Sequence, residues 1–69
     1  MELSSLRYFL SVASNLSFSR AAEQLYLSQP TLSYHISNLE KELGTPLFVR
    51  DKKQLILTEA GKILVEEAS

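Results

Sequence analysis

Four aliphatic residues, Leu32, Ile36, Leu39 and Leu43, recur in a segment that opens with Ser28-Gln29-Pro30 and is closed by Gly44 and Pro46. At about 100° per residue their spacing aligns them in one narrow stripe, so the segment predicts an amphipathic helix. Ser28 is its natural N-cap, with a hydroxyl able to accept a backbone N–H. Pro30 falls in the first turn, where its missing N–H costs nothing. Gly44 suits the left-handed residue just past a helix end, and Pro46 forbids continuation. The opposite flank presents Pro30, Tyr34, Ser37, Asn38 and Lys41, with Gln29 and Ser33 beside it near the amino end, and has no large aliphatic residue. A fold built around this helix must cover one side and has no hydrophobic reason to cover the other.

The rest of the chain supplies the cover. From Leu3 to Ser14, the residues Leu3, Leu6, Phe9 or Leu10, and Ala13 fall at helical spacing. Asn15-Leu16-Ser17 competes for backbone hydrogen bonds and should stop that helix. A second, short helix is expected after Ser17 or Ser19, running through the strong helix formers Arg20-Ala21-Ala22-Glu23-Gln24-Leu25. Beyond Pro46 the period changes. Leu47-Phe48-Val49-Arg50 and Leu55-Ile56-Leu57 read as two strands around a polar Asp51-Lys52-Lys53 turn. Thr58 then caps a last helix, with Glu59 in its first turn where a carboxylate suits the dipole. Ile63, Leu64 and Ala68 give that helix an apolar side. No Gly or Pro follows Gly61, so the chain reads as one cut inside a helix at Ser69. The expected core is Phe9, Phe18, Leu25, Leu32, Ile36, Leu39 and Leu43. Ile63 and Leu64 are left over as contacts for a second copy, because a trailing helix has nothing else to lie against.

Three helices, the second and third joined by a tight Tyr26-Leu27-Ser28 turn, followed by a small β-hairpin, make a mainly α winged helix-turn-helix. The DNA major groove is about 12 Å wide and admits one helix. The small side chains Ser33 and Ser37 allow close approach, Gln29 can offer a bidentate pair to adenine, and Arg50 and Lys53 of the hairpin fall where phosphates or a minor groove would be met.

Composition bounds the alternatives. A chain of 69 residues holds one small domain, with a core that is marginal by size. It has no cysteine, one histidine and one aspartate, and its two glycines are isolated. That leaves no nucleophile with its base, no metal-ligand set and no phosphate-binding glycine loop, so neither catalysis, nor a metal, nor a cofactor is expected. No apolar run approaches the roughly 18 residues of a membrane span. Met1-Glu2-Leu3-Ser4-Ser5 lacks the basic start of a secretory signal, and the expected location is the cytoplasm. Charge points the other way from DNA at first sight: the net charge is −1 and the pI 5.7, against the pI above about 9 typical of nucleic-acid binders. Residues 1–43 carry three positive and four negative charges and residues 55–69 one against three, whereas residues 44–54 carry Arg50, Lys52 and Lys53 against Asp51 alone. The positive charge is concentrated in the hairpin.

These residues also carry a family pattern. Leu6-Arg7-Tyr8-Phe9, Ser17-Phe18-Ser19-Arg20-Ala21-Ala22-Glu23 and Leu27-Ser28-Gln29-Pro30-Thr31-Leu32-Ser33 come first. Leu39-Glu40-Lys41-Glu42-Leu43-Gly44, Pro46-Leu47-Phe48-Val49-Arg50 and Leu57-Thr58-Glu59-Ala60-Gly61 follow in order and at the family's spacing. Over essentially its whole length the chain resembles the amino-terminal DNA-binding domain of LysR-type transcriptional regulators. The resemblance implies a bacterial regulator that binds a double-stranded DNA operator. It implies a winged helix-turn-helix over residues 1–58, the start of a linker and dimerisation helix over residues 59–69, and a separate effector domain absent from this chain. It places DNA contacts at Ser28, Gln29, Pro30, Ser33 and Tyr34, with Arg50 and Lys53 around the wing and Arg20 near the phosphate backbone. It also implies a homodimer or tetramer assembled through the last helix, and a small-molecule effector bound only on the missing domain.

The chain departs from the family at its reading helix. Many members carry Arg where Tyr34 stands, and often Gln and a basic residue in place of His35 and Ser37. Weaker attraction to the backbone and a base preference shifted away from guanine are expected. His35, near the edge of the apolar stripe, is expected to pack rather than to read. The competing reading is a winged helix used only for protein contact, or a helical dimerisation module, which the acidic balance slightly favours and the small-residue flank and basic wing oppose.

Overall fold

The computed structural model describes residues 2–68. In chain order the elements are α1 (Leu3–Asn15), α2 (Phe18–Leu25), α3 (Gln29–Leu43), β1 (Phe48–Asp51), β2 (Gln54–Leu57) and α4 (Glu59–Ala68). The expectation that the last helix is still running at Ser69 falls outside the described residues.

Each helix boundary has a local cause. At the start of α2 it is Ser17 whose side chain accepts from the Arg20 N–H, at 3.2 Å, which decides between the two serines. Ser28 does the same for α3, accepting from the Thr31 N–H. Left-handed residues close the first three helices: Leu16 at φ 48°, Tyr26 at φ 57° and Gly44 at φ 74°. Only Gly44 adopts that conformation without a steric penalty. A reciprocal amide pair then ties α1 to α2: Asn15 Nδ2 donates to Gln24 Oε1 at 2.9 Å, and Gln24 Nε2 donates to Asn15 Oδ1 at 3.3 Å.

The core lies where α1, α2 and α3 meet the base of the hairpin. Phe9, Val12, Ala21, Ala22, Leu32, Ile36, Leu39, Leu47, Phe48 and Leu55 are buried. The Phe48 ring sits 5.4 Å from Phe9 and 5.9 Å from Phe18, so the first strand is packed directly onto the helical layer. Three of the four stripe residues of α3 are buried as the spacing requires. Leu43 is not: at 39% exposed it lies at the carboxyl end of α3, alongside α4 rather than beneath α1 and α2. Phe18 and Leu25 are half-buried at the margin of the core.

The hairpin is antiparallel, with Phe48 paired to Leu57 and Asp51 to Gln54. The turn is therefore Lys52-Lys53 alone, one residue shorter than the sequence suggests, because Asp51 completes the ladder. Leu47 falls before the strand and into the core. The hairpin is held at its base by polar contacts. Glu40 Oε2 accepts from the Leu47 N–H at 2.7 Å and from the Phe48 N–H at 3.3 Å. Thr58 Oγ1 donates to the Pro46 carbonyl at 2.7 Å and accepts from the Gly61 N–H at 3.1 Å, capping α4 while fixing it to the preceding loop.

Among the described residues no helix is long and apolar enough to cross a membrane.

Candidate nucleic-acid interface

The flank of α3 that carries no aliphatic residue is left exposed by the rest of the described residues. Gln29, Pro30, Ser33, Tyr34, Ser37, Asn38 and Lys41 are all exposed, while Leu32, Ile36 and Leu39 on the reverse side are buried. Tyr34 is 64% exposed. The hydroxyl of Ser28 is committed at the helix start, donating to Thr31 Oγ1 at 2.8 Å and accepting from the Thr31 N–H. Its contribution here is to set where α3 begins, and so where Gln29 and Pro30 stand.

One cleft brings the amino end of α3 together with the wing. It measures about 540 Å³ and is bordered by Gln29, by Ser17, Phe18 and Ser19 at the start of α2, and by Arg50, Lys53 and Gln54 of the hairpin. Gln29, Arg50 and Lys53 thus converge from α3 and the hairpin on one open space of mixed polar and apolar lining. Ser33, Tyr34 and Ser37 continue along α3 outside this cleft, and Ser37 borders a separate shallow recess with Glu40 and Lys41. Arg20 is exposed on α2, one residue beyond the cleft wall. The cleft residues Ser19 and Gln54 carry no periodicity signal. Only the return of the hairpin toward α2 brings them in, and that depends on the packing of Phe48.

The starts of α2 and α3 both border this cleft. The first turns of α2 and α3 leave N–H groups without intrahelical partners, and their dipoles favour negative charge. Arg50 and Lys53 border the same cleft, so it gathers two cations although the chain as a whole carries a net charge of −1. Such a surface suits a polyanion whose spacing matches an exposed helix flank.

The last helix does not trail free. Ala60, Leu64 and Val65 pack on the core, so Leu64 is half-buried within its own domain and the expectation that α4 has nothing to lie against is corrected. Ile63 is the residue left outside, 57% exposed. With Leu43, Leu47 and Leu64 it borders a mainly apolar groove of about 270 Å³ between α3 and α4. Ala68 is half-buried at the described end of α4.

The model of the bacterial regulatory helix-turn-helix proteins, lysR family, matches residues 3–62, which include all three core helices, the hairpin and the start of α4. The chain belongs to the LysR family. This LysR-family chain is 57% identical over 67 residues to the HTH-type transcriptional regulator XapR of Escherichia coli strain K12, and 53% identical over 68 residues to the Hca operon transcriptional activator HcaR of the same strain. It covers 97% and 99% of its own length in these matches, but spans only 23% of each relative. Among solved structures it is similar to a LysR-family transcriptional regulator from Eggerthella lenta, with a TM-score of 0.95, 40% identity and coverage of 97% of this chain and 96% of that one. It is also similar to the BenM DNA-binding domain in its complex with catB site 1 DNA, with a TM-score of 0.93, 43% identity and coverage of 99% and 76%. The LysR-family fold is therefore a winged helix-turn-helix, and the relatives are transcriptional regulators rather than enzymes.

Proposed function

We propose that this chain is the DNA-binding domain of a LysR-type transcriptional regulator and reads double-stranded operator DNA with the exposed flank of α3. The observation that carries the reading is that this flank is uncovered along its length while its amino end opens into the same cleft as Arg50 and Lys53. Gln29, Pro30, Ser33 and Tyr34 face base edges in the major groove, Ser37 lies further along the same surface, and Ser28 sets the register. Arg50 and Lys53 hold the wing against a phosphate ridge or a narrow, A·T-rich minor groove, where shape adds specificity without many base contacts. Arg20 faces the backbone at the start of α2.

Residues 1–58 form the reading unit, and residues 59–69 begin a linker helix that joins two copies. Ile63, Leu64 and Ala68 lie on its apolar side, and the groove beside Leu43 is the place for the partner. Two copies joined this way set paired reading helices in successive major grooves, about one helical turn apart. A small-molecule effector acts on a separate domain of the whole regulator, which works in the cytoplasm as a dimer or a pair of dimers.

The deciding experiment is a titration on duplex DNA at several salt concentrations. A DNA reader shows log K falling with log salt at a slope near −0.9 per phosphate contacted. A winged helix used only for protein contact, the reading that the net charge of −1 would favour, shows no duplex binding at any salt. Selection of bound duplexes from a random pool then tests the reading helix itself. With Tyr34 in place of an arginine, the selected half-site is poor in the guanine contacts that Arg makes best, and a G-rich half-site would refute that assignment.

A further inference from the structure

Three rings form a continuous series from α1 to the exposed flank of α3. The Tyr8 and His35 centroids are 5.1 Å apart with planes at 58°, and those of His35 and Tyr34 are 5.8 Å apart with planes at 71°. Both distances fall in the range in which aromatic pairs attract. Arg7 extends the series, its Cζ 6.0 Å from the Tyr8 centroid. The order of exposure runs along it: Tyr8 and His35 are half-buried, and Tyr34 stands in solvent. His35 is therefore the ring against which the outermost member rests, and it is the chain's only histidine.

Resting on the DNA-reading assignment above, we propose that His35 is a positioning residue for Tyr34, and that its protonation state is expressed as DNA affinity through that tyrosine. Tyr34 stands on an exposed helix flank, can turn about its Cα–Cβ and Cβ–Cγ bonds, and has His35 as its ring neighbour in the series. An imidazole at 5.8 Å limits that rotation. An imidazole turns from a neutral ring into a cation when it takes up a proton. A protonated ring flanked by two tyrosines gains a cation–π attraction to each, so protonation tightens the series and holds Tyr34 in one place for reading. Arg7 is the one cation in the series, and it meets the Tyr8 ring. The carboxylates on the two helices that meet here are engaged elsewhere: Glu40 accepts from the Leu47 and Phe48 amides, and Glu2, just before α1, accepts from Ser4. Glu42 and Lys41 lie at the far end of α3.

The test measures affinity for a selected operator duplex between pH 5.5 and 8 at fixed salt. It compares the 69-residue chain with His35→Gln and Tyr34→Ala, and follows the His35 and Tyr34 ring protons by NMR in the free chain. The native chain should bind about two- to fivefold more tightly at the acid end, the size of one exposed cation–π contact. The Tyr34 ring signals should move with the same midpoint as His35. His35→Gln should bind at the weaker level throughout, and Tyr34→Ala should bind weakly with no pH response. A flat native profile, a Tyr34 ring that ignores the histidine, or a pH response surviving in Tyr34→Ala would each overturn the positioning role while leaving DNA reading intact. Absence of duplex binding by the native chain at every pH would instead defeat the reading on which it rests. Circular dichroism of both variants separates a loss of fold from a loss of affinity.

Discussion

The carboxylate of Glu40 and the backbone amide of Leu47 lie 2.7 Å apart, which fixes the base of the wing to the end of the reading helix. The same oxygen also takes the Phe48 N–H at 3.3 Å. Both amides belong to residues buried in the core, so water cannot replace the acceptor cheaply. Glu40→Ala should cost about 1–3 kcal/mol, the penalty for buried donors left unsatisfied. Glu40→Gln, which keeps an acceptor but loses the charge, should cost less. Thermal unfolding of the two variants checks the order, and equal losses would mean that the charge of the carboxylate, rather than its packing or a neutral acceptor, carries the contact.

Glycine-to-alanine changes should destabilise this chain at both glycines, for different reasons. Gly61 lies in the first turns of α4, where alanine is ordinarily favoured by about 0.5–1 kcal/mol. A Cβ there would collide with the Leu47 carbonyl oxygen and come within 2.8 Å of Leu57 Cδ2. Backbone cannot give way as a side-chain tip can, so Gly61→Ala should lose about 1–3 kcal/mol through overpacking. Gly44 has open space around it but sits at φ +74°. Gly44→Ala should lose about 1–2 kcal/mol through the left-handed backbone alone. Asparagine, which tolerates that conformation, should recover part of the loss at Gly44 and none at Gly61. Denaturant midpoints of the four variants decide it.

Local signals in the sequence settle the reading helix almost completely. Ser28, Pro30, Gly44 and the Leu32-Ile36-Leu39 stripe act within one turn of where they stand, and the structure places each as the spacing requires. Leu43 breaks the pattern because it stands at the carboxyl end of α3, on a groove that α4 also borders, a placement that no helical period encodes. Leu47 and Leu55 are buried because Phe48 lies on Phe9 and Phe18 and draws the hairpin onto the helices. The convergence of Gln29 with Arg50 and Lys53 depends on the same packing, so the residue types of the cleft were readable and its shape was not. The partial burial of Leu64 has the same origin, since α4 folds back over the core through the Thr58–Pro46 hydrogen bond.

The wing tip should be stabilised by residues that weaken its function. Lys52 and Lys53 form a two-residue turn with φ of 51° and 68°. Two positive φ values mark a type I′ turn, which Asn-Gly prefers, and left-handed backbone costs about 1–2 kcal/mol at an ordinary side chain. Lys52→Asn with Lys53→Gly should raise the melting temperature by several degrees, on the scale of about 4–8 °C per kcal/mol for a domain of this size. The same pair should lower duplex affinity and reduce the salt slope. A gain in stability with no loss of affinity would show that the wing lysines are only solvated.

Ile63 and Leu64, adjacent on α4, should separate assembly from folding. Ile63 is 57% exposed and Leu64 is packed on the core. Ile63→Ser should leave the unfolding transition of the monomer within about 0.5 kcal/mol, as for other surface changes, yet shift the chain toward monomer in sedimentation. Leu64→Ser should lower stability by about 2 kcal/mol or more, because it removes buried apolar atoms and introduces a hydroxyl. If Ile63→Ser left self-association unchanged, the groove beside Leu43 would not be the meeting place of two copies.

Gln29 and Lys53 border the same cleft but should fail differently on DNA. A glutamine amide can pair with an adenine edge, where both donor and acceptor are matched, whereas a lysine ammonium is a point charge that any phosphate satisfies. Gln29→Ala should therefore cost about 1–3 kcal/mol on the preferred site and relax the choice of base at one position. Lys53→Ala should weaken all sequences alike and lower the salt slope by about 1. Affinities measured on the selected duplex and on its single-base variants, at two salt concentrations, distinguish the two patterns. Lys53→Ala offers the sharper check, since its loss should vanish at high salt where screening removes the phosphate contact. Were the two variants to behave identically across bases and salt, the division between a reading helix and a phosphate-bound wing would be wrong.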